Sequence, residues 1–324
     1  MSIEYRPWRE DDDLRLLEVW PDAESAPVQA FRARLGAADQ SGFAVTLVAT
    51  DDDVPVAAGV CYASAWHPQR LWLFVEVAPD HRREGIGREL VSRLRAAARE
   101  AGAPVEALRT RVTPGSTGEG FARSLGFADA MRSRVVRVDA GALPLPTLGQ
   151  NADGSDAEAV EDLATGSVEL TRAVESFYRE VHAWDPVGDV SIGAVNKQFL
   201  SDTAGAYGAV VLRRTVDGTD GTDGKSPTAA FAVSYRPFDP ANPHDEPQPN
   251  EVADVLLGYV PGAAGATPEQ SGAALETLLA LLVSDYPVEL EVDDSMGPLV
   301  SVVDNLLAAG VARVVTETET LVLG

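Results

Sequence analysis

Residues 75–94 read VEVAPDHRREGIGRELVSRL. The apolar run LWLFVEVAP (71–79) predicts a buried strand that ends at Val77. From Gly85 to Ala101, Ile86, Leu90, Leu94, Ala97 and Ala101 recur at steps of three or four, which predicts an amphipathic helix. Gly102 stands where a helix C-terminus favours glycine. The connecting loop carries Arg82, Arg83, Gly85 and Gly87. Glycines at a strand-to-helix turn let the backbone approach a ligand closely. The free N–H groups of a first helical turn, with the helix dipole, form an anion site suited to a pyrophosphate. Arg82 and Arg83 can add charge-assisted hydrogen bonds to it.

Around this stretch the pattern is strand and helix in alternation. Leu14 and Leu17, then Val28, Phe31 and Leu35, have helical spacing. FAVTLVAT (43–50) and PVAAGVCYASAW (55–66) read as strands joined by a turn at 51–53. VEALRTRVT (105–113) and RSRVVRV (132–138) are further strands, with a short helix end at FARSLGF (121–127). This order gives an α/β layer architecture. Residues 139–157 are rich in Pro, Gly and Asp and read as a linker. The pattern then restarts: helices at about 171–184, 268–284 and 298–309, strands at 205–214, 227–237, 251–261 and 288–294, and a strand pair at 312–324. The second half repeats the element order of the first, which predicts two like domains: 1–138 and 158–324, joined by 139–157.

Composition excludes several classes. The chain has 324 residues, 26 Lys+Arg and 50 Asp+Glu, for a net charge of −24. Residues 1–137 hold 18 basic against 20 acidic residues, while residues 138–324 hold 8 against 30, a net of −22. Such a chain is a poor binder of phosphate backbones, so no nucleic-acid partner is expected. No apolar run reaches the roughly 18–20 residues that span a bilayer, and MSIEYRPWREDDD lacks the apolar core of a secretory signal. A single cysteine, Cys61, excludes an intrachain disulfide and points to a reducing, cytoplasmic setting. The four histidines have no metal-ligand spacing, so no metal is expected. Asp217, Asp220 and Asp223 recur every three residues, which does not match a calcium-binding EF-hand loop; a solvated hairpin loop is expected there.

The spacing Arg82-x-x-Gly85-x-Gly87, between a strand ending in Val-x-Pro and a long amphipathic helix, resembles the signature of the GCN5-related N-acetyltransferases (GNAT family). The resemblance covers residues 1–137 and includes SLGF (124–127), similar to the family's closing helix–strand corner. It implies two tandem GNAT-like domains, each a mixed central sheet flanked by helices, with acetyl-CoA as acyl donor. The cofactor-binding residues it implies are Val75 and Val77 on the strand and the run Arg82, Arg83, Glu84, Gly85, Ile86, Gly87 and Arg88. The implied chemistry is direct attack of a deprotonated amine on the thioester, with a backbone N–H near Val77 polarising its carbonyl.

Glu76 is the only carboxylate of that strand. It stands as the proton acceptor or as a strand glutamate at a solvated edge. His81 stands as a proton relay or as an exposed loop histidine. Two positions depart from the family: Ala122 replaces the common tyrosine that protonates the departing thiolate, and Gly115 replaces a common asparagine. In the second half, YVP (259–261) matches VAP (77–79), and Glu269-x-x-Gly272-x-Ala274 stands where the signature belongs. A carboxylate there repels pyrophosphate, and no Arg or Lys occurs between Arg236 and Arg313, so this half is expected not to bind CoA.

The function expected is transfer of an acetyl group to a small-molecule or peptide amine, as a monomer or dimer. If the amine enters between the halves, the acidic second half favours a cationic one. A non-catalytic CoA-binding module is the alternative that Ala122 and Gly115 favour. A mycothiol-synthase-like acyltransferase is a minor one, because that tandem enzyme keeps its active signature in the second half.

Overall fold

The computed structural model of the chain describes residues 3–23, 25–36, 42–150, 157–214, 226–235 and 252–324. The aspartate-rich loop 217–225, His244 and Glu251 lie outside them. Two compact units emerge: Met1–Ala130 with Asp185–Asp189 and Thr318–Gly324, and Met131–Trp184 with Val190–Glu317.

The element order of the first half is β1 (Ile3–Pro7), α1 (Asp12–Leu17), α2 (Ala26–Arg32), β2 (Ala44–Asp51), β3 (Val54–Tyr62), β4 (Leu71–Val77), α3 (Ile86–Glu100), β5 (Leu108–Val112), α4 (Thr117–Ser124) and β6 (Ala128–Val138). The second half repeats it: β7 (Glu158–Asp162), α5 (Val168–Val181), α6 (Ile192–Val195), β8 (Ala206–Arg214), β9 (Thr228–Tyr235), β10 (Ala253–Tyr259), α7 (Pro268–Leu282), β11 (Val288–Asp293), α8 (Gly297–Ala309) and β12 (Ala312–Leu323).

In the first unit β1 to β4 form an antiparallel meander, β5 joins β4 in parallel, and the end of β12 closes the sheet antiparallel to β5, with Glu319 opposite Val112. In the second unit β7 to β10 form the same meander, β11 joins β10 in parallel, and β6 closes it, with Val288 opposite Val138. Each sheet is therefore mixed and flanked by helices.

The closing strands are exchanged. Residues 131–138 belong to the second unit and 318–324 to the first, whereas the sequence reading keeps 132–138 with the first half. The C-terminal segment 312–324 is one long strand, not a strand pair. The alternating ARVVTETETLVL contains no Gly, Pro or Asn to turn the chain, so extension continues.

In the first unit, side chains alternate between the two sheet faces. Cys61, Leu71, Leu73 and Leu108 pack with Val91, Leu94 and Ala98 of α3. Val48 and Ala58, on the opposite face, pack with Leu16 and Trp20 beside α1 and α2. Gly59 permits the close approach of α3: a Cβ there would lie 2.8 Å from Leu94 Cδ1 and 2.9 Å from the Phe74 carbonyl oxygen. On the α1/α2 face, Asp12 is fully buried and accepts from both terminal nitrogens of the Arg6 guanidinium at 2.7 Å.

Candidate functional site

β4 and β5 pair only at Leu71–Leu108 and Trp72–Arg109. Beyond that point β5 stays with β12, so β4 from Leu73 onward has an open edge on the β5 side. Backbone groups alternate sides along a strand. Ala78 N–H donates to the Val56 carbonyl on the β3 side at 2.8 Å, and Leu71 N–H donates to Ala107 on the β5 side at 2.8 Å. The N–H and C=O groups of Leu73, Val75 and Val77 therefore face the opening.

The chain leaves β4 through a 3₁₀ turn, Pro79–His81, and reaches α3 through two left-handed residues, Arg83 (φ 71°) and Gly85 (φ 87°). Such a conformation costs a non-glycine residue ~1–2 kcal/mol, so Arg83 marks a turn held by its surroundings. Gly85 is the N-cap of α3 and no side chain caps the helix; the first helical bond runs from Glu89 N–H to the Gly85 carbonyl at 3.0 Å. The N–H groups of Ile86, Gly87 and Arg88 thus have no helical acceptor. The Ile86 side chain anchors this end against Ala49, Val56 and Ala57. Gly87 sits close to α4, where a Cβ would lie 3.2 Å from Phe121 Cζ. Arg82 Nε donates to the Val77 carbonyl at 3.0 Å, which holds its guanidinium at the mouth of the opening. Arg83 and Glu84 are exposed, and Arg88 reaches Ser124 Oγ at 3.3 Å. This uncapped helix start, with three donors and arginines around it, fits a pyrophosphate.

The predicted catalytic pair is not brought together. Glu76 lies on the α1/α2 face, where its two oxygens accept from Arg32 Nε (2.8 Å) and Nη2 (2.6 Å). Arg32 also donates to the Pro21 carbonyl and lies over the Trp20 ring. His81 turns the other way, with Nε2 3.7 Å from Asp51 at the end of β2. That places it toward β2, a strand two positions from β4 and on the side away from β5.

Other residues were hidden in the sequence. Trp72 and Phe74 share the face of Glu76 and pack on Phe31. Arg109 stacks on Trp72 at 4.1 Å and pairs with buried Asp185, which also binds Arg70 at 2.7 Å. Asp185, in HAWDP, is a structural anion, and His182 Nδ1 lies 2.9 Å from the Tyr178 carbonyl at the end of α5. The alternation in LRTRV (108–112) already sets Arg109 and Arg111 on one face; Arg32 had no local signal. Burial pushes the Cys61 thiol up to about 12, so it is no nucleophile. Ala122 is buried in α4 and offers no proton.

The second unit ends its equivalent loop differently. Thr267 caps α7: its hydroxyl accepts from Gln270 N–H, and the Gln270 side chain accepts from Thr267 N–H. Pro268 at the first helical position has no N–H at all. Glu269, Gly272 and Ala274 lie inside α7, so they are not the loop that precedes it. Among the described residues no group of three or more His, Cys, Asp or Glu could hold a metal ion, and no helix is long and apolar enough to cross a membrane.

Comparison with known proteins gives a consistent picture. The model of the acetyltransferase (GNAT) family matches residues 4–127. A GCN5-related N-acetyltransferase from Sphaerobacter thermophilus superposes with a TM-score of 0.57 at 16% identity, covering 99% of this chain and 95% of that one. A tandem GNAT protein from the clavulanic acid biosynthesis pathway gives 0.52 at 16% identity, covering 99% and 98%. A putative acetyltransferase from Pyrococcus horikoshii gives 0.50 at 14% identity, covering 99% and 89%. At these identities the likeness is one of fold. No curated protein matches.

Proposed function

We propose, from the match of residues 4–127 to the GNAT acetyltransferase family, that the first unit transfers an acetyl group from acetyl-CoA to an amine. The observation that carries this is the uncapped start of α3 beside the open edge of β4. Acetyl-CoA, when bound, supplies a thioester carbonyl for attack and a thiolate that leaves. The N–H groups of Ile86, Gly87 and Arg88, with Arg82 and Arg83, hold its pyrophosphate, and Glu84 and Gly85 shape that turn. Val75 and Val77 present backbone groups to the pantetheine arm, and the Val77 N–H stabilises charge developing on the carbonyl oxygen.

Glu76 is the proposed proton acceptor. It is the only carboxylate of β4, and it can exchange one Arg32 bond for the incoming ammonium. His81, turned to Asp51, stands outside the reaction. With Ala122 in the place of the tyrosine, a thiol with an ordinary pKa of about 8.5 departs as thiolate without an acid. The second unit does not bind CoA, because Thr267, Gln270 and Pro268 close the helix start that α3 leaves open. The domains we propose are a CoA-binding unit built on residues 1–130 and a degenerate partner. Ala122 favours a second reading, a CoA-binding module without turnover.

One experiment separates the two readings. Full-length protein is given acetyl-CoA and a panel of amines, and free thiol is followed. Turnover that falls in Glu76→Gln at unchanged KM for acetyl-CoA supports the enzyme; tight CoA binding with no thiol released on any amine refutes it.

A further inference from the structure

The α1/α2 face of the first unit carries more arginine than its carboxylates balance. Arg32 is paired with Glu76, and Arg70 and Arg109 share Asp185. The side chains of Arg34 and Arg111 have no hydrogen bond or ion pair among the described residues. Arg34 lies 5.5 Å from the Tyr62 ring centroid, and Arg111 lies 5.8 Å from that of Trp72. Arg111 Nε is buried and has no acceptor. Buried guanidinium N–H groups are normally satisfied, so Arg111 Nε is open to an acceptor that a ligand would bring. The Tyr62 phenol is raised by burial, and Arg34, Arg109 and Arg111 all lie near enough to act against that rise.

The position of Arg111 gives this charge a use. It is two residues beyond Arg109, the last β5 residue paired with β4, so it flanks the opening level with Phe74. At about 3.3 Å per residue, Glu76 lies roughly 7 Å farther along β4. A guanidinium is a planar fork matched to a carboxylate.

We propose that the acceptor carries a carboxylate as well as its amine, a few carbons apart, with the carboxylate on Arg111, Arg34 beside it, and Trp72 and Tyr62 as aromatic walls. This rests on the reading above that the first unit acylates an amine. It reverses the cationic amine that the acidic second half suggests, because the face beside the opening has the opposite sign.

The test compares glycine, β-alanine and 4-aminobutanoate with their primary amides as acceptors, by thiol release from acetyl-CoA. An amide's amine is the less basic and the more easily deprotonated, so a preference for the acid reports binding. In a second arm, the N-acetylated acids and the N-acetylated amides are titrated calorimetrically into the protein saturated with CoA. The acid should win by at least tenfold at one chain length or more, as a hydrogen bond to a charged group provides. In Arg111→Met that ratio should fall below about twofold, and Arg111→Lys should restore part of it. CoA affinity of each variant reports that it is folded. Thiol release with amides at least as good as acids at every length overturns the carboxylate site and leaves the acyltransferase standing. No thiol release, with N-acetylated acids still bound tenfold better through Arg111, upholds the carboxylate site and refutes the acyltransferase. Neither release nor selective binding refutes both.

Discussion

Arg82→Ala isolates the pyrophosphate turn from the fold. Arg82 is exposed and its side chain makes one bond among the described residues, from Nε to the Val77 carbonyl. An exposed hydrogen bond contributes about 0.5–1 kcal/mol, so the free protein should lose no more than about 2–4 °C in Tm. Its two terminal guanidinium nitrogens are left for the ligand. A charge-assisted bond to phosphate is worth about 1.5–3 kcal/mol, which weakens Kd for CoA by about 10- to 100-fold. The salt dependence of binding should also flatten in the variant, because one phosphate contact is lost. Calorimetric titration of CoA at two salt concentrations, beside thermal melts without ligand, measures all three quantities. A Kd within twofold of wild type refutes the assignment. So does a weakened Kd accompanied by a melting loss of equal free energy, since that would make Arg82 a structural residue.

Gly59→Ala should cost about 1–3 kcal/mol by denaturant unfolding, because its Cβ meets the Phe74 backbone as well as Leu94 and Val75; no loss would mean that α3 docks less tightly. The Asp12 carboxyl is raised by burial, but its Arg6 and Arg9 hydrogen bonds outweigh this and hold it below its ordinary value. Its stabilisation is therefore complete above an unfolded value of about 3.9 and lost as pH falls below that. Asp12→Asn should cost about 3 kcal/mol at neutral pH and should lack this acid-side loss in melts between pH 7 and 3. Cys61, with its thiol up at about 12, should resist alkylation at pH 8 in folded protein and react on unfolding; rapid native labelling would contradict its burial.

Much of the first unit was legible because its signals are local. Val77, the glycines and the spacing of Ile86, Leu90 and Leu94 placed β4, the turn and α3 within a residue or two. The edge strands β1 (IEYRP) and β7 (EAVED) were not seen. They are five residues long and carry charge, although Ile3 and Tyr5 alternate toward the core as a strand requires. The exchange of β6 and β12 could not be read, because which strand closes a sheet is decided by pairing across 150 or more residues of chain. The partner of Glu76 was hidden for the same reason: Arg32 lies 44 positions away. In the second half, the signature frame at Glu269–Ala274 slipped into the helix. The Thr267–Gln270 capping box, Thr-x-x-Gln just ahead of an apolar run, was the local signal that marks where α7 starts.

The central claim is that backbone amides of one unit, and not of the other, hold the acyl donor. Hydrogen exchange of the full chain with and without saturating acetyl-CoA tests it directly. Peptides covering 73–89 should exchange more slowly when acetyl-CoA is bound, through the amides of Val75, Val77, Ile86, Gly87 and Arg88, while peptides covering 260–275 should not change. Protection at 260–275, or none at 73–89, would contradict it.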